Sequence, residues 1–290
     1  MISRLQDFIV QASKLRVAVA GETIMDEFIP VTYEGQSMKS LCPVLKLDGE
    51  LTRQTGGAGA IAAHLKDFVA SVELFTNHDG GIVKTRYVDV NDRRKHIEIN
   101  RFETKGFSPV RIDPSRFDVV IIADFGHGFC DKVDTGDGFH LMCQTNSNNF
   151  GFNRISKWRN KAKKSVCLDI REASLHMNQK LFTANESAIR DLYHYEMNAG
   201  LVFLTMGKSG SICTNGKNIF SLPVFESEIV DTLGAGDTFF AFSSLAASIF
   251  PEQSEMMEIP ALAASLSTTW LCNEQSVTKE KLIAHASRFV

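Results

Sequence analysis

The chain has 290 residues, a length that accommodates one large domain or two small ones at roughly 150 residues per domain. Hydrophobic residues make up 44% of it and charged residues 22%, the balance of an ordinary globular core rather than of a disordered segment. Lys plus Arg is 31 against 34 Asp plus Glu, a net charge of -3, which argues against a basic surface built for nucleic acid.

In chain order, Met1 to Lys14 reads as an amphipathic helix with Ile2, Leu5, Phe8 and Ile9 on its apolar side. Val17 to Ala20 is a buried strand ending at Gly21. Ala58 to Val69 is a helix behind a glycine pair, and Val72 to Phe75 a second strand. Val119 to Ile122, closed by Ala123-Asp124, is a third strand. Val166 to Leu168, closed by Asp169, is a fourth, and Leu201 to Leu204, closed by Thr205, a fifth. Ala235 to Ile249, Leu262 to Leu271 and Lys279 to Arg288 read as helices. Continuously apolar strands separated by helices predict a mostly parallel sheet covered on both faces. Strands that end in Gly, Asp or Thr then present those residues where open α/β sheets bind ligands.

Two segments break the rhythm. Phe28 to Leu51 has short β-like pieces, and Lys84 to Phe102 reads as a hairpin around Asn91-Asp92, with Arg93-Arg94-Lys95 as a solvated tip. Together they suit either a small β lid or surface decoration. From Lys132 to Asn160 the chain turns polar and reads as one long ordered loop. Its Gln144, Asn146, Asn148 and Asn153 suit polyhydroxyl recognition, a self-bonded loop or a dimer contact equally.

The six cysteines are scattered and show no C-x-x-C pair, so reduced thiols are expected. No apolar run approaches the roughly 18 residues that span a bilayer. With no leader in evidence, a cytoplasmic protein without membrane or nucleic-acid partners is the expectation. Trp158 and Trp270 read as packing residues.

The strongest signal is Asp231-Thr232-Leu233-Gly234-Ala235-Gly236-Asp237-Thr238-Phe239, running directly into a helix. Glycines at a helix start leave backbone N–H groups open to a ligand, and the helix dipole favours an anion there. Asp237 in the first turn can accept a proton from a hydroxyl that attacks a bound phosphate. Read as an isolated G-x-G, the same residues make a tight turn with a helix-terminus acid.

The whole string matches the D-T-x-G-A-G-D-x-F signature of PfkB/ribokinase-family carbohydrate kinases, which this chain resembles over nearly its whole length. Gly21 to Asp26 resembles the family's G-D-x-x-x-D, Gly56-Gly57-Ala58 its first glycine signature, and Thr205 to Gly210 its T-x-G-x-x-G nucleotide turn. The resemblance implies a ribokinase-like three-layer α/β/α sandwich, a single kinase domain over 1–290 with lid segments 28–51 and 84–102 inserted in it. It implies Asp237 as general base, with Gly234, Ala235 and Gly236 as the anion hole. Thr205, Gly207, Gly210 and Asn185 would serve the nucleotide site. Asp26, Gly56, Gly57 and Asp124 would serve the sugar, with His127 lining the pocket. ATP and Mg²⁺ are the implied cofactors, the ion held largely through waters, and Asp231 and Thr232 lie where some relatives hold a monovalent cation. Relatives often dimerise through the lid, which makes a homodimer the expectation.

Within the family, Lys84-Thr85-Arg86 and Asp124-Phe125-Gly126-His127-Gly128 resemble the heptose-7-phosphate kinase branch, often fused to a nucleotidyltransferase. The chain carries no such domain, so that partner would be a separate protein. Four departures stand out. Ala60 replaces a sugar-contacting Asn, and Glu22 replaces the first Asp of G-D-x-x-x-D. Ala188 replaces the Glu of N-x-x-E, leaving Glu186 or Glu172 to compensate. The stretch from Phe75 to Lys84 is short enough to lack one βα unit. A nucleoside kinase and a degenerate sugar- or nucleotide-binding module are the competing readings.

Overall fold

The structure is a computed structural model that describes all residues except 79–80, 104–105, 146–150, 182–185, 194–197, 226–227, 253–254 and 290. In chain order it runs α1 (Ile2–Ala12), β1 (Arg16–Gly21), β2 (Thr23–Gln36), β3 (Pro43–Leu47), β4 (Thr52–Gly57), α2 (Ala58–Leu65), β5 (Ser71–Phe75), β6 (Ile82–Asp89), β7 (Lys95–Phe102), β8 (Val110–Arg111) and β9 (Val119–Asp124). Then come β10 (Val133–Asp134), β11 (His140–Cys143), β12 (Ser165–Asp169), α3 (Ile170–His176), α4 (Glu186–Asp191), β13 (Leu201–Thr205), β14 (Ser211–Thr214), β15 (Ile219–Leu222), α5 (Ala235–Ile249), α6 (Glu255–Ser267) and α7 (Lys279–Ala286).

The main sheet has the order β15-β14-β13-β12-β11-β9-β1-β5. All pairs from β13 to β5 are parallel, and only β14 and β15 run against their neighbours. The alternating side chains of each strand feed two cores. Val17, Val19, Val119 and Ile121 pack with α1, α2, α5, α6 and α7 on one face. Ala18, Ala20, Val120 and Ile122 pack with α3, α4 and the 155–158 turn on the other. The three layers and the parallel sheet match the sequence expectation. The apolar stripe of α1 docks through Phe8, whose ring lies 6.4 Å from Phe68 and 6.3 Å from Phe242.

The loop expected from Lys132 to Asn160 is corrected by β11, a central strand inside it. Its signal is masked because the strand has only four residues and opens on a histidine. That imidazole is buried between the hydroxyls of Ser165 at 2.7 Å and Ser248 at 3.0 Å, which satisfy both ring nitrogens. The helix expected from Leu262 instead begins at Glu255 and runs through Pro260, a residue that in sequence reads as a helix start. The main sheet ends at β5, and the chain passes from there straight to β6, in line with the short stretch noted after Phe75.

The two irregular segments form one second sheet of order β3-β2-β6-β7, with β4 paired to the first half of β2. It starts at Thr23 rather than Phe28 and takes in β4 beyond Leu51. The expected hairpin is the antiparallel β6–β7 pair. Register sets its inner face. Gln54, Asp26, Lys84 and Asn100 form one row across four strands, and Thr52, Phe28, Arg86 and Glu98 the next. Among the described residues no helix is long and apolar enough to cross a membrane.

Candidate active site

The glycine turn leads into α5, which lies against β9 and β12. Gly234 is the N-cap, at φ 82, and a Cβ there would come within 2.6 Å of Asn273 Oδ1, so glycine is required on both counts. Gly236 faces open space. The N–H groups of Gly236 and Asp237 make no backbone hydrogen bond, as expected in the first turn of a helix, and stay available to an anion. Asp237 sits among them, partly exposed. Burial and then the charge of Asp26 push its carboxyl up to about 7, while the nearby Lys84 ammonium works against them.

Asp26 belongs to the inner face of the second sheet. Its Oδ1 is ion-paired with Arg86, itself buried and bonded to Glu98 at 2.8 Å. Its Oδ2 lies over Gly56, where a Cβ would approach it to 2.3 Å. Gly57 caps α2 at φ 62, and a Cβ there would meet the carbonyl oxygen of Glu22 at 2.3 Å. The Gly56-Gly57 turn thus brings bare backbone beside the Asp26 carboxylate. Between it and the α5 turn lies Asn273, whose N–H donates to Gln54 Oε1 at 2.8 Å. Its Oδ1 is a buried acceptor without a donor. Sequence reasoning missed Asn273, because no local pattern marks a loop residue that acts by lying between two distant glycines.

Lys84 is half-buried on the same face and makes no ion pair among the described residues. His127 stands near it, its ring 4.7 Å from that of Phe102 and its Nε2 buried without a partner. Burial and the Lys84 charge hold His127 down at about 4, so the ring is neutral at pH 7. Among the described residues, the cleft thus brings Asp26, Asp237, Lys84 and His127 together between the second sheet and the carboxyl edge of the main sheet.

Asp124 does not join them, which corrects its expected place among sugar contacts. It is fully buried and its oxygens are taken. Trp158 Nε1 and Lys157 Nζ each lie 2.7 Å from Oδ2, while Asn153 Nδ2 at 3.1 Å and the N–H of Gly126 at 3.0 Å donate to Oδ1. Asn153 also donates to the carbonyl of Gln144 at 3.1 Å, so for this residue the self-bonded-loop reading holds. Asn146 and Asn148 lie outside the described residues. Glu22 accepts from the N–H groups of Phe125 at 2.8 Å and Phe129 at 3.0 Å, a reach that anchors the loop bearing His127. Glu22, Asp124 and Cys130 cluster closely enough for a metal, but these bonds already engage both carboxylates.

At the other end of the edge, Thr205 closes β13 opposite Asp169 of β12. Thr205 to Gly210 forms a tight turn closed by the Met206 N–H on the Gly210 carbonyl at 2.8 Å. Gly210, at φ 86, would drive a Cβ to within 2.1 Å of the Leu222 carbonyl, whereas Gly207, at φ 55, has open space above it. Asn185 lies outside the described residues. Ala188 is buried and offers no ligand atom. Glu172 is spent on a capping box with Asp169 and on the N–H of Thr145 at 3.1 Å, and burial pushes it up to about 8. Neither therefore offers a free ligand atom to a metal ion.

Residues 147–269 match the model of the pfkB family carbohydrate kinases. An ATP-dependent 6-phosphofructokinase of Thermoanaerobacterium thermosaccharolyticum is 28% identical over 159 residues, which make up 53% of this chain and 46% of that relative, so the chain spans less than half the relative's length. The nucleoside kinase of Methanocaldococcus jannaschii superposes with a TM-score of 0.68 at 14% identity, over 95% of this chain and 99% of that one. Ribokinase of Thermotoga maritima superposes with a TM-score of 0.64 at 15% identity, over 94% and 99%. The chain thus has the ribokinase-like fold, and its segment 147–269, with the glycine turn and Asp237, is similar to the pfkB family carbohydrate kinases.

Proposed function

We propose that the protein is an ATP-dependent kinase that transfers the γ-phosphate to a hydroxyl of a sugar or sugar phosphate, with Asp237 as general base. The observation that carries this is the position of Asp237. It shares the α5 N-terminus with unpaired backbone N–H groups, and its carboxyl is raised to about 7, where a base works best near neutrality. The acceptor hydroxyl gives its proton to Asp237 as its oxygen bonds to the γ-phosphorus. The bond from that phosphorus to the bridging oxygen breaks, and ADP leaves. The free N–H groups of Gly236 and Asp237, presented by the Gly234-Ala235-Gly236 turn, face the charge that spreads over the transferring phosphoryl oxygens.

Asp26 and the Gly56-Gly57 backbone hold acceptor hydroxyls, and Thr205, Gly207 and Gly210 line the nucleotide. Magnesium carried on ATP would neutralise phosphate charge. The second sheet covers the cleft and excludes water. Its outer edge exposes Met38, Leu41 and Leu47, which supports a homodimer through this sheet. A heptose phosphate acceptor and a separate nucleotidyltransferase partner rest on the motif resemblance, and a cytoplasmic setting on the scattered unpaired cysteines.

The test is ADP release from ATP and Mg²⁺ across sugars, sugar phosphates and nucleosides, with Asp237→Asn beside the wild type. Acceptor-dependent release that falls roughly 10²- to 10⁴-fold in the variant supports the kinase. Ala188 favours one competing reading, a degenerate module, and binding of nucleotide without release for any acceptor would establish it.

A further inference from the structure

The resemblance brings with it a monovalent cation at Asp231 and Thr232, and the residues present do not fit one. Both Asp231 carboxylate oxygens lie 2.9 Å from Lys95 Nζ. Oδ1 also accepts from the N–H of Leu233 at 3.2 Å. The Asp231 side chain is only 8% exposed, so water and salt screen this site weakly. A further cation on that carboxylate would stand against an ammonium already there, and like charges repel strongly where screening is weak.

The ammonium comes from the first residue of β7, so the second sheet delivers it to the turn that leads into α5. An apolar cluster ties the same two parts together. Phe28 and Val88 of the second sheet pack with Cys272, and Leu233 of the glycine turn packs against them. The Cys272 backbone sits at φ 47, a conformation that costs a non-glycine residue energy and persists where surrounding contacts enforce it.

We infer that the Lys95 ammonium takes the place of a monovalent cation at the glycine turn. The turn needs no added alkali ion, and it keeps its shape through a charge supplied by the second sheet. Docking of that sheet and readiness of the anion cradle are then one event. Only the activity readout below rests on the kinase reading.

The experiment compares potassium chloride with tetramethylammonium chloride at equal ionic strength, the latter cation being too large for such a site. Thermal unfolding and nucleotide affinity are measured first, then acceptor-dependent ADP release, for the wild type, Lys95→Ala and Lys95→Arg. The wild type is expected to behave alike in both salts. Lys95→Ala should lose about tenfold in nucleotide affinity or ADP release in tetramethylammonium, the scale of one charge-assisted hydrogen-bonded contact. Recovery in potassium would add support, as would retention by Lys95→Arg. Potassium-specific stabilisation or activation of the wild type overturns the inference, as does a Lys95→Ala protein unchanged in every readout. The wild-type arm decides even where Lys95→Ala does not fold. Absence of ADP release with every acceptor in both salts would count against the kinase reading alone, since unfolding and nucleotide affinity still judge Lys95.

Discussion

The hydroxyl of Thr238 lies 3.2 Å from His64 Nε2 and 3.0 Å from the carbonyl oxygen of Gly234. His64 Nδ1 accepts from the N–H of Val277 at 3.0 Å, so its proton is on Nε2, and the ring donates to Thr238, which in turn donates to Gly234. Burial holds the imidazole down at about 4, so it stays neutral at pH 7. A relay of neutral groups thus runs from α2 into the turn whose next-door residue is Asp237.

Thr238→Val keeps the shape and removes the hydroxyl. It leaves a buried N–H and a buried carbonyl with one partner fewer, at a cost of about 1–3 kcal/mol, read from denaturant unfolding. Turnover should fall more than acceptor affinity, because the relay sets the angle of the turn rather than touching substrate. Thr238→Ser should recover both. Equal unfolding midpoints for Thr238→Val and wild type would show that the relay contributes nothing.

Arg86 neutralises Asp26 where neither is exposed beyond a few per cent, with Phe28 stacked 5.8 Å from its guanidinium carbon. Removing one partner of such a pair leaves an uncompensated charge. Arg86→Met is therefore expected to cost about 3–5 kcal/mol in urea unfolding at pH 7. Adding Asp26→Asn should return part of that loss, since the stranded carboxylate is gone. A double variant that is less stable than Arg86→Met by the full cost of Asp26→Asn alone would show that the two charges are not coupled.

Much of the main sheet was legible because its strands are runs of Val, Ile, Leu and Ala bounded by Gly, Asp or Thr, and both cores read those runs directly. The glycine turn was legible too, since the left-handed backbone and the close approach of Asn273 at Gly234 both need glycine. His140 hid β11, and Pro260 hid the first turns of α6, because in each case tertiary partners overrode a local signal. Asp124 misled for a related reason. A carboxylate at a strand end reads as a ligand-facing group, yet here Trp158, Lys157 and Asn153 arrive from a distant segment to bury it. Asn273 and the Lys95–Asp231 pair are products of the tertiary fold alone, with partners 219 and 136 residues away.

The Asp237 carboxyl is raised by burial first, then by Asp26, and is lowered by Lys84. A base must be deprotonated to work, so kcat/KM is expected to fall as pH drops through about 7. Asp26→Asn removes a negative neighbour, which eases ionisation of Asp237 and moves that acidic limb to lower pH. Lys84→Met removes a positive neighbour and moves it to higher pH. The slope of the limb should stay that of one proton in all three proteins, whatever the variants do to acceptor affinity. His127 sits close to the same ammonium and is held at about 4, so it does not titrate inside this window and cannot imitate the shift. Limbs that coincide in the three proteins would mean that the titrating group is not Asp237, and displacement of both variants in the same direction would mean the same. Opposite displacements would tie the pH dependence of turnover to the one carboxyl that both neighbours face.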